Sequence, residues 1–389
     1  MSGKSFVEFY GEHQISPVNY RLTSLEKHFA IRKALYRYLG ILPAHLKGRR
    51  VLEIGPGSGY NALYTTSLEP AVYDMVEPNP TGVATIKEVF DQYGMPLSKH
   101  QIHPVLIQDF PIQEPYDFVL CEGVIGGQQD PSALLERVVR HVAPGGVLVI
   151  TTIDQVSFFA DLLRRLLGRL LVDPQMPFKD KVARLVPIFK PHLDALPGMN
   201  RHYDDWVVDN LLNPAGVNPL FSMADAFATL GNRFEFLGSS PAFFTDWTWY
   251  KALQGGLNEK VMTQYWQNLH NLLDYRKTWP PRDEAANRKI YDACQGFQGA
   301  LGELERGDRD AGLRHSKVFL TQLIGLTGSF APELAEALTA YLVHLDVLNP
   351  KAIAADKKLG PWFGRGQQNI SFSQASLNAQ IMPSQKTKS

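Results

Sequence analysis

The chain has 389 residues, 44% of them hydrophobic, and its 39 basic and 39 acidic side chains balance to zero net charge. That length allows two or more domains with a sizeable buried core, and the charge balance argues against a dedicated polyanion binder. Two cysteines, Cys121 and Cys294, exclude a disulfide framework and a cysteine-based zinc site, and no metal ligand is assigned.

Residues 1–50 hold nine Lys/Arg against three acids, and residues 351–389 hold six against one, so the middle of the chain carries −11. The basic ends either attract an anionic substrate or nucleic acid or, the reading preferred, fold back on an acidic body or are solvated. No apolar signal core follows Met1-Ser2-Gly3-Lys4, and no apolar stretch reaches the length of a membrane span. The stretch 158–172 is broken by Asp161 and three arginines. A cytoplasmic protein with no membrane partner is the expectation. Leu25 to Leu39 has the spacing of an amphipathic helix, with Leu25, Phe29, Leu35, Tyr36 and Leu39 inward and Lys27, Arg32, Lys33 and Arg37 outward. Ahead of it, Tyr10 and His13 stand in a polar segment as candidates for substrate contact or proton transfer.

Val51 to Ile54 reads as a buried parallel strand, with Glu53 near its end. Gly55, Gly57 and Gly59 follow, and Tyr60 to Ser67 continues as a helix. A strand, a glycine turn and a helix start are how an α/β sheet holds a nucleotide-like ligand. Tyr60 stands where a dinucleotide fingerprint would need its third glycine, and no P-loop pattern is present. Ala71 to Val76 reads as a second strand ending at Glu77, 18 residues past Gly59, with Asn79 just beyond. An acidic side chain there can accept hydrogen bonds from both ribose hydroxyls. Val105 to Gln108 is expected as a third strand, Tyr116 to Cys121 as a fourth and Val147 to Thr151 as a fifth, with a helix at 131–141.

Across residues 49–153 this order resembles the class I S-adenosylmethionine (SAM) methyltransferases. The resemblance rests on G-x-G-x-G preceded two residues earlier by an acid, on Glu77, on Asp109-Phe110 after the third strand, and on the A-P-G-G-V-L-V-I run ending at Ile150. It implies an α/β fold: a doubly wound, mostly parallel seven-stranded sheet with an N-terminal helical lid and a C-terminal helical domain. It implies SAM as cofactor, held by Glu53, Gly55, Gly57, Gly59, Glu77, Asn79, Asp109, Phe110 and Glu122. Glu122 also stands with Tyr10 and His13 as a catalytic candidate. The N-P-P-[YF] motif is missing after the fourth strand and there is no Pro-Cys nucleophile, which argues against DNA adenine and C5-cytosine methylation.

Beyond the fifth strand, helices are expected at 157–171 and 179–189. The stretch 201–213 is unusual: as a helix it puts Tyr203, Trp206 and Asn210 near one face, a candidate acceptor pocket. Strands at 233–240 and 247–251 would complete the sheet as an antiparallel pair. Helices at 257–275, 282–306, 309–326 and 331–347 suggest a bundle that could serve as a cap, a partner-binding surface or a homodimer surface. The expected organisation is a lid over 1–48, a SAM-binding domain over 49–255 with an insertion at about 154–232, a helical bundle over 256–350, and a tail over 351–389 that docks through 360–373 and is then disordered. The functional expectation is methyl transfer to a small molecule, with nucleic acid an unlikely partner. The alternatives are aminocarboxypropyl transfer or cyclisation of SAM, a noncatalytic SAM-binding scaffold, and an RNA methyltransferase.

Overall fold

The computed structural model describes residues 9, 22, 24–95, 97, 100–253 and 255–375. Its centre is a seven-stranded sheet. The strands are β1 (Arg50–Ile54), β2 (Val72–Val76), β3 (His100–His103), β4 (Tyr116–Cys121), β5 (Val142–Thr152), β6 (Phe234–Ser240) and β7 (Gln368–Gln374). Their order is β3-β2-β1-β4-β5-β7-β6. The first five strands are parallel, while β7 runs antiparallel to both β5 and β6.

The central strands read as continuous apolar runs because both faces are covered. Alternate residues enter two different cores. Val51, Phe118, Leu120 and Val149 pack with Tyr36, Leu39, Leu63 and Phe90 on one side. Leu52, Ile54, Val119, Cys121, Leu148 and Ile150 pack on the other. The first side is covered by α1 (Leu25–Tyr38), α2 (Tyr60–Ser67) and α3 (Pro80–Gln92). The second receives α4 (Pro131–Val139) and the large helical layer.

That layer begins with α5 (Phe159–Leu171), α6 (Phe178–Asp194) and α7 (Tyr203–Trp206), which runs on as a π-helix over Val207–Leu212. After α8 (Met223–Leu230) and β6 come α9 (Leu257–Asn268), α10 (Glu284–Glu305), α11 (Arg309–Thr327), α12 (Pro332–Asp346) and α13 (Pro350–Ala354). The chain then returns to the sheet as β7. The helices from α9 to α13 are therefore an insertion between two neighbouring strands.

Two expected strands are corrected. The third strand is His100–His103, and 105–108 belongs to the turn after it. As the sheet edge, β3 has one covered flank and tolerates a polar sequence, so the apolar run after Pro104 is a misleading signal. The segment 247–251 is not a strand: Trp247 is 94% exposed, and only a short 3-10 turn, Tyr250–Ala252, follows. Its place in the sheet is taken by β7, whose Ile370 and Phe372 enter the core while the Ser371 hydroxyl donates to the Leu39 carbonyl on the opposite face (2.6 Å).

The return to the sheet is fastened by Arg164, which is fully buried in α5. It donates to the carbonyls of Leu359 (3.0 Å), Gly360 (3.1 Å) and Trp362 (2.7 Å), and to His192 Nδ1 (3.2 Å). Trp362 Nε1 donates to the Leu273 carbonyl (2.7 Å). Five polar contacts thus fix the approach to β7 before it pairs.

Candidate functional site

The C-terminal ends of β1, β2 and β4 form a line at one edge of the sheet, where α/β folds bind ligands. After β1 the chain turns through Gly55 (φ +69°), Gly57 (φ +60°) and Gly59 (φ +83°). L-residues avoid this region, so the turn demands glycine. A Cβ at Gly55 would also collide with Val124, and one at Gly59 would lie 3.1 Å from Ile86 Cγ1. Gly59 then caps α2.

Glu77, buried at the end of β2, faces this turn. Its Oε2 accepts from Gly57 N–H and its Oε1 from Asn79 N–H, both at 2.9 Å. Burial pushes its carboxyl upward, while the bonds from Asn79 and Gly57 oppose the shift. Each oxygen keeps a further lone pair. Asn79 caps α3, its Oδ1 accepting from Thr81 N–H (3.1 Å). The carboxylate is thus fixed by two backbone donors beside a turn too tight for side chains, and can accept further hydrogen bonds.

The other candidates are more dispersed. Glu53 is buried, and the Tyr73 hydroxyl donates to its Oε2. Burial pushes its carboxyl up to about 7, against the pull of Tyr73. Asp109 is exposed on the turn after β3. Phe110 is buried, with ring centroids 4.8 Å from His103 and 5.5 Å from His141. Tyr10 and His13 lie outside the described residues.

Glu122 follows β4, and its carboxylate is gripped by Arg32 at 2.8 and 3.2 Å. Arg32 is buried in α1, its guanidinium 5.2 Å from the Tyr36 ring centre. Burial works against the Arg32 charge, yet Glu122, with help from Tyr36 and Glu53, holds the guanidinium above its ordinary range. Arg32 was expected on the outer face of α1. It points inward because Tyr36, one turn on, shares its face and Glu122 supplies the counter-charge. No sequence-local signal marks a partner 90 residues away.

The expected trio of Tyr203, Trp206 and Asn210 does not converge on a pocket. Trp206 is buried in the core, 6.1 Å from the Phe189 ring. Asn210 Nδ2 donates back to the Trp206 carbonyl (3.1 Å), and Tyr203 donates to Asp194 (2.6 Å) at the surface. The local reason is the π-helical turn at Val207–Leu212, which changes the residue spacing that a regular helix would give.

The loop after β4 instead meets groups the sequence reading missed. Gly127 N–H donates to the Pro219 carbonyl (3.1 Å), and Asn218 Nδ2 donates to the Gly127 carbonyl (2.8 Å). Gln298 from α10 donates to the Asn218 carbonyl (3.0 Å). A Cβ at Gly123 would lie 3.7 Å from Gln367 Nε2, just ahead of β7. Gln367 is exposed, and nothing in its sequence surroundings marks it.

The strand order and the antiparallel β7 match the class I, Rossmann-like methyltransferase fold. Residues 27–191 match the family described as "Methyltransferase domain". Among curated relatives, the tRNA U34 carboxymethyltransferase of Syntrophotalea carbinolica is 29% identical over 116 residues, 28% of this chain and 34% of that protein. The ubiquinone biosynthesis O-methyltransferase of Rhodopseudomonas palustris is 28% identical over 110 residues, 28% of this chain and 42% of that protein. The match thus spans well under half the length of either relative. Among solved structures, PKMT2 from Rickettsia typhi aligns with a TM-score of 0.44 and 18% identity, over 64% of this chain and 52% of that one.

Proposed function

We infer that the whole chain is a SAM-dependent methyltransferase acting on a small-molecule acceptor. The observation that carries this reading is the Glu77 carboxylate, held by Gly57 and Asn79 N–H beside the glycine turn. Bound there, SAM would supply a methyl group on a sulfonium whose leaving group is a neutral thioether. Glu77 would accept from the ribose hydroxyls, and Gly55, Gly57 and Gly59 would let the backbone approach. Asp109, exposed on the turn after β3, would accept from an amino group at the adenine end. Glu53 and Phe110 would complete the cofactor side of the site.

Glu122 bears on the choice of acceptor. Its charge is matched by Arg32, so it offers a neutralised pair beside the loop after β4 and not a free base. That favours an acceptor that arrives as a neutral nucleophile, such as an unprotonated amine, over one that must first lose a proton to a strong base. The inserted helix α10, linked by Gln298 to Asn218 and through Asn218 to Gly127 of the β4 loop, would restrict access to that end of the cleft.

A second reading, an RNA acceptor, draws support from the tRNA-modifying relatives and from the +6 charge of residues 1–50. One experiment separates the readings: incubation with methyl-labelled SAM and either a panel of small amines and hydroxyl compounds or total tRNA, with nucleoside products resolved. S-adenosylhomocysteine with label in a small molecule supports the first reading, and label in tRNA supports the second. Methylthioadenosine would instead indicate transfer of the aminocarboxypropyl group. Intact SAM binding without turnover across the panel would point to a noncatalytic role.

A further inference from the structure

Between β6 and α9 the chain projects an aromatic finger. Trp247 is 94% exposed, Trp249 64% and Tyr250 68%, and Leu253 and Leu257 are exposed beyond them. The finger is held, not collapsed. Thr245 and Gln264 exchange two hydrogen bonds of 2.9 Å, Asp246 pairs with Lys260 (3.2 Å), and Thr248 N–H donates to Asp246 (2.8 Å). Lys251 Nζ lies 5.3 Å from the Trp249 ring and 5.7 Å from the Tyr250 ring.

The outer face of α1 reaches the same edge strand. A Cβ at Gly238 would meet the Tyr38 carbonyl, and Gly40 lies against Leu237. On α1, Ile31 and Tyr38 are exposed together with Lys27, Lys33 and Arg37, and Leu42 and Leu237 are exposed nearby. Aliphatic, aromatic and basic side chains thus flank β6 on two elements, with Glu26, Glu235, Glu259 and the Lys260-paired Asp246 the acids among them.

We propose that this face is a peripheral docking surface for a lipid bilayer carrying anionic headgroups. Three occupants compete for it. A second copy of the chain could add to β6 by strand pairing, but Asn258 already takes the Phe236 N–H (2.9 Å) and the Phe234 carbonyl (2.8 Å). Single-stranded RNA would use the aromatic rings but gains nothing from Ile31, Leu42, Leu237 and Leu253, which have no stacking face. A bilayer needs no complementary surface. It accepts Trp and Tyr at the headgroup level, aliphatic side chains just below, and Lys and Arg at the anionic phosphates. This differs from the expectation of no membrane partner, which rested on spans. Among the described residues no helix is long and apolar enough to cross a membrane, and docking requires none.

The test uses the full chain with vesicles of phosphatidylcholine alone or mixed with phosphatidylglycerol. Co-sedimentation with the mixed vesicles and a blue-shifted tryptophan emission are expected, with weaker binding to phosphatidylcholine alone. Trp247→Ser/Trp249→Ser should lower the partition coefficient about tenfold or more. Lys27→Glu/Lys33→Glu/Arg37→Glu should abolish the preference for phosphatidylglycerol. Retained S-adenosylhomocysteine binding shows that each variant is folded and keeps this test separate from the proposed activity. Absence of vesicle binding by the parent chain overturns the proposal. So does a dimer, or a complex with total tRNA, that is lost in the tryptophan variant.

Discussion

Arg32→Met should expose how α1 is coupled to the loop after β4. The substitution keeps an apolar stem of similar reach and removes only the charge and its donors. In the parent, Glu122 receives two guanidinium bonds, at 2.8 and 3.2 Å, and both side chains are largely buried. Removing one member of a buried pair strands the other charge, and the loss is about 3–5 kcal/mol. Urea unfolding of Arg32→Met should show a fall of that size. Glu122→Gln alone should also destabilise, because it strands Arg32. The double variant should recover part of the loss, with a coupling energy of about 1–3 kcal/mol. The reasoning is refuted if Arg32→Met lies within about 0.5 kcal/mol of the parent, or if the two effects simply add.

Other substitutions test the remaining parts. Glu77→Ala should weaken SAM binding by about 1.5–3 kcal/mol, roughly 10- to 150-fold, and calorimetry reads this directly. Trp206→Ala should lower stability by about 3–5 kcal/mol, because the ring fills core space against Phe189; full stability with lost turnover would restore it to the acceptor pocket. Glu53 gives a pH test. Burial raises its carboxyl in the folded chain to about 7, so between the unfolded value near 4.5 and 7 the native state holds the extra proton. The parent should therefore lose stability relative to Glu53→Gln as pH rises through this window, by about 3 kcal/mol, and level off above it. Parallel stability curves for the two proteins would show that Glu53 does not titrate there.

The sequence revealed those parts of the molecule whose physics is local. The run Val51–Ile54, the glycine turn and Glu77 follow one another within about 30 residues, and each carries its own pattern. The helices at 284–305, 309–327 and 332–346 were legible from apolar spacing and from the Gly-Asp and Pro breaks between them. What failed depended on distant partners. The strand Gln368–Gln374 has only two strongly apolar residues, because Ser371 faces α1 and is satisfied by the Leu39 carbonyl. The W-T-W-Y stretch imitates strand alternation, yet its side chains project outward. The Arg32–Glu122 pair and the approach of Gln367 to Gly123 join segments 90 and 244 residues apart, which no spacing rule links.

Calorimetric titration of the full chain with S-adenosylhomocysteine, beside Gly57→Val checked for folding by circular dichroism, tests the cofactor site most directly. Gly57 has φ +60° and donates its N–H to Glu77, so valine there would both strain the turn and fill the cradle. The account predicts one-site binding by the parent chain and none by the folded variant. No binding by the parent, or equal binding by both, would contradict it.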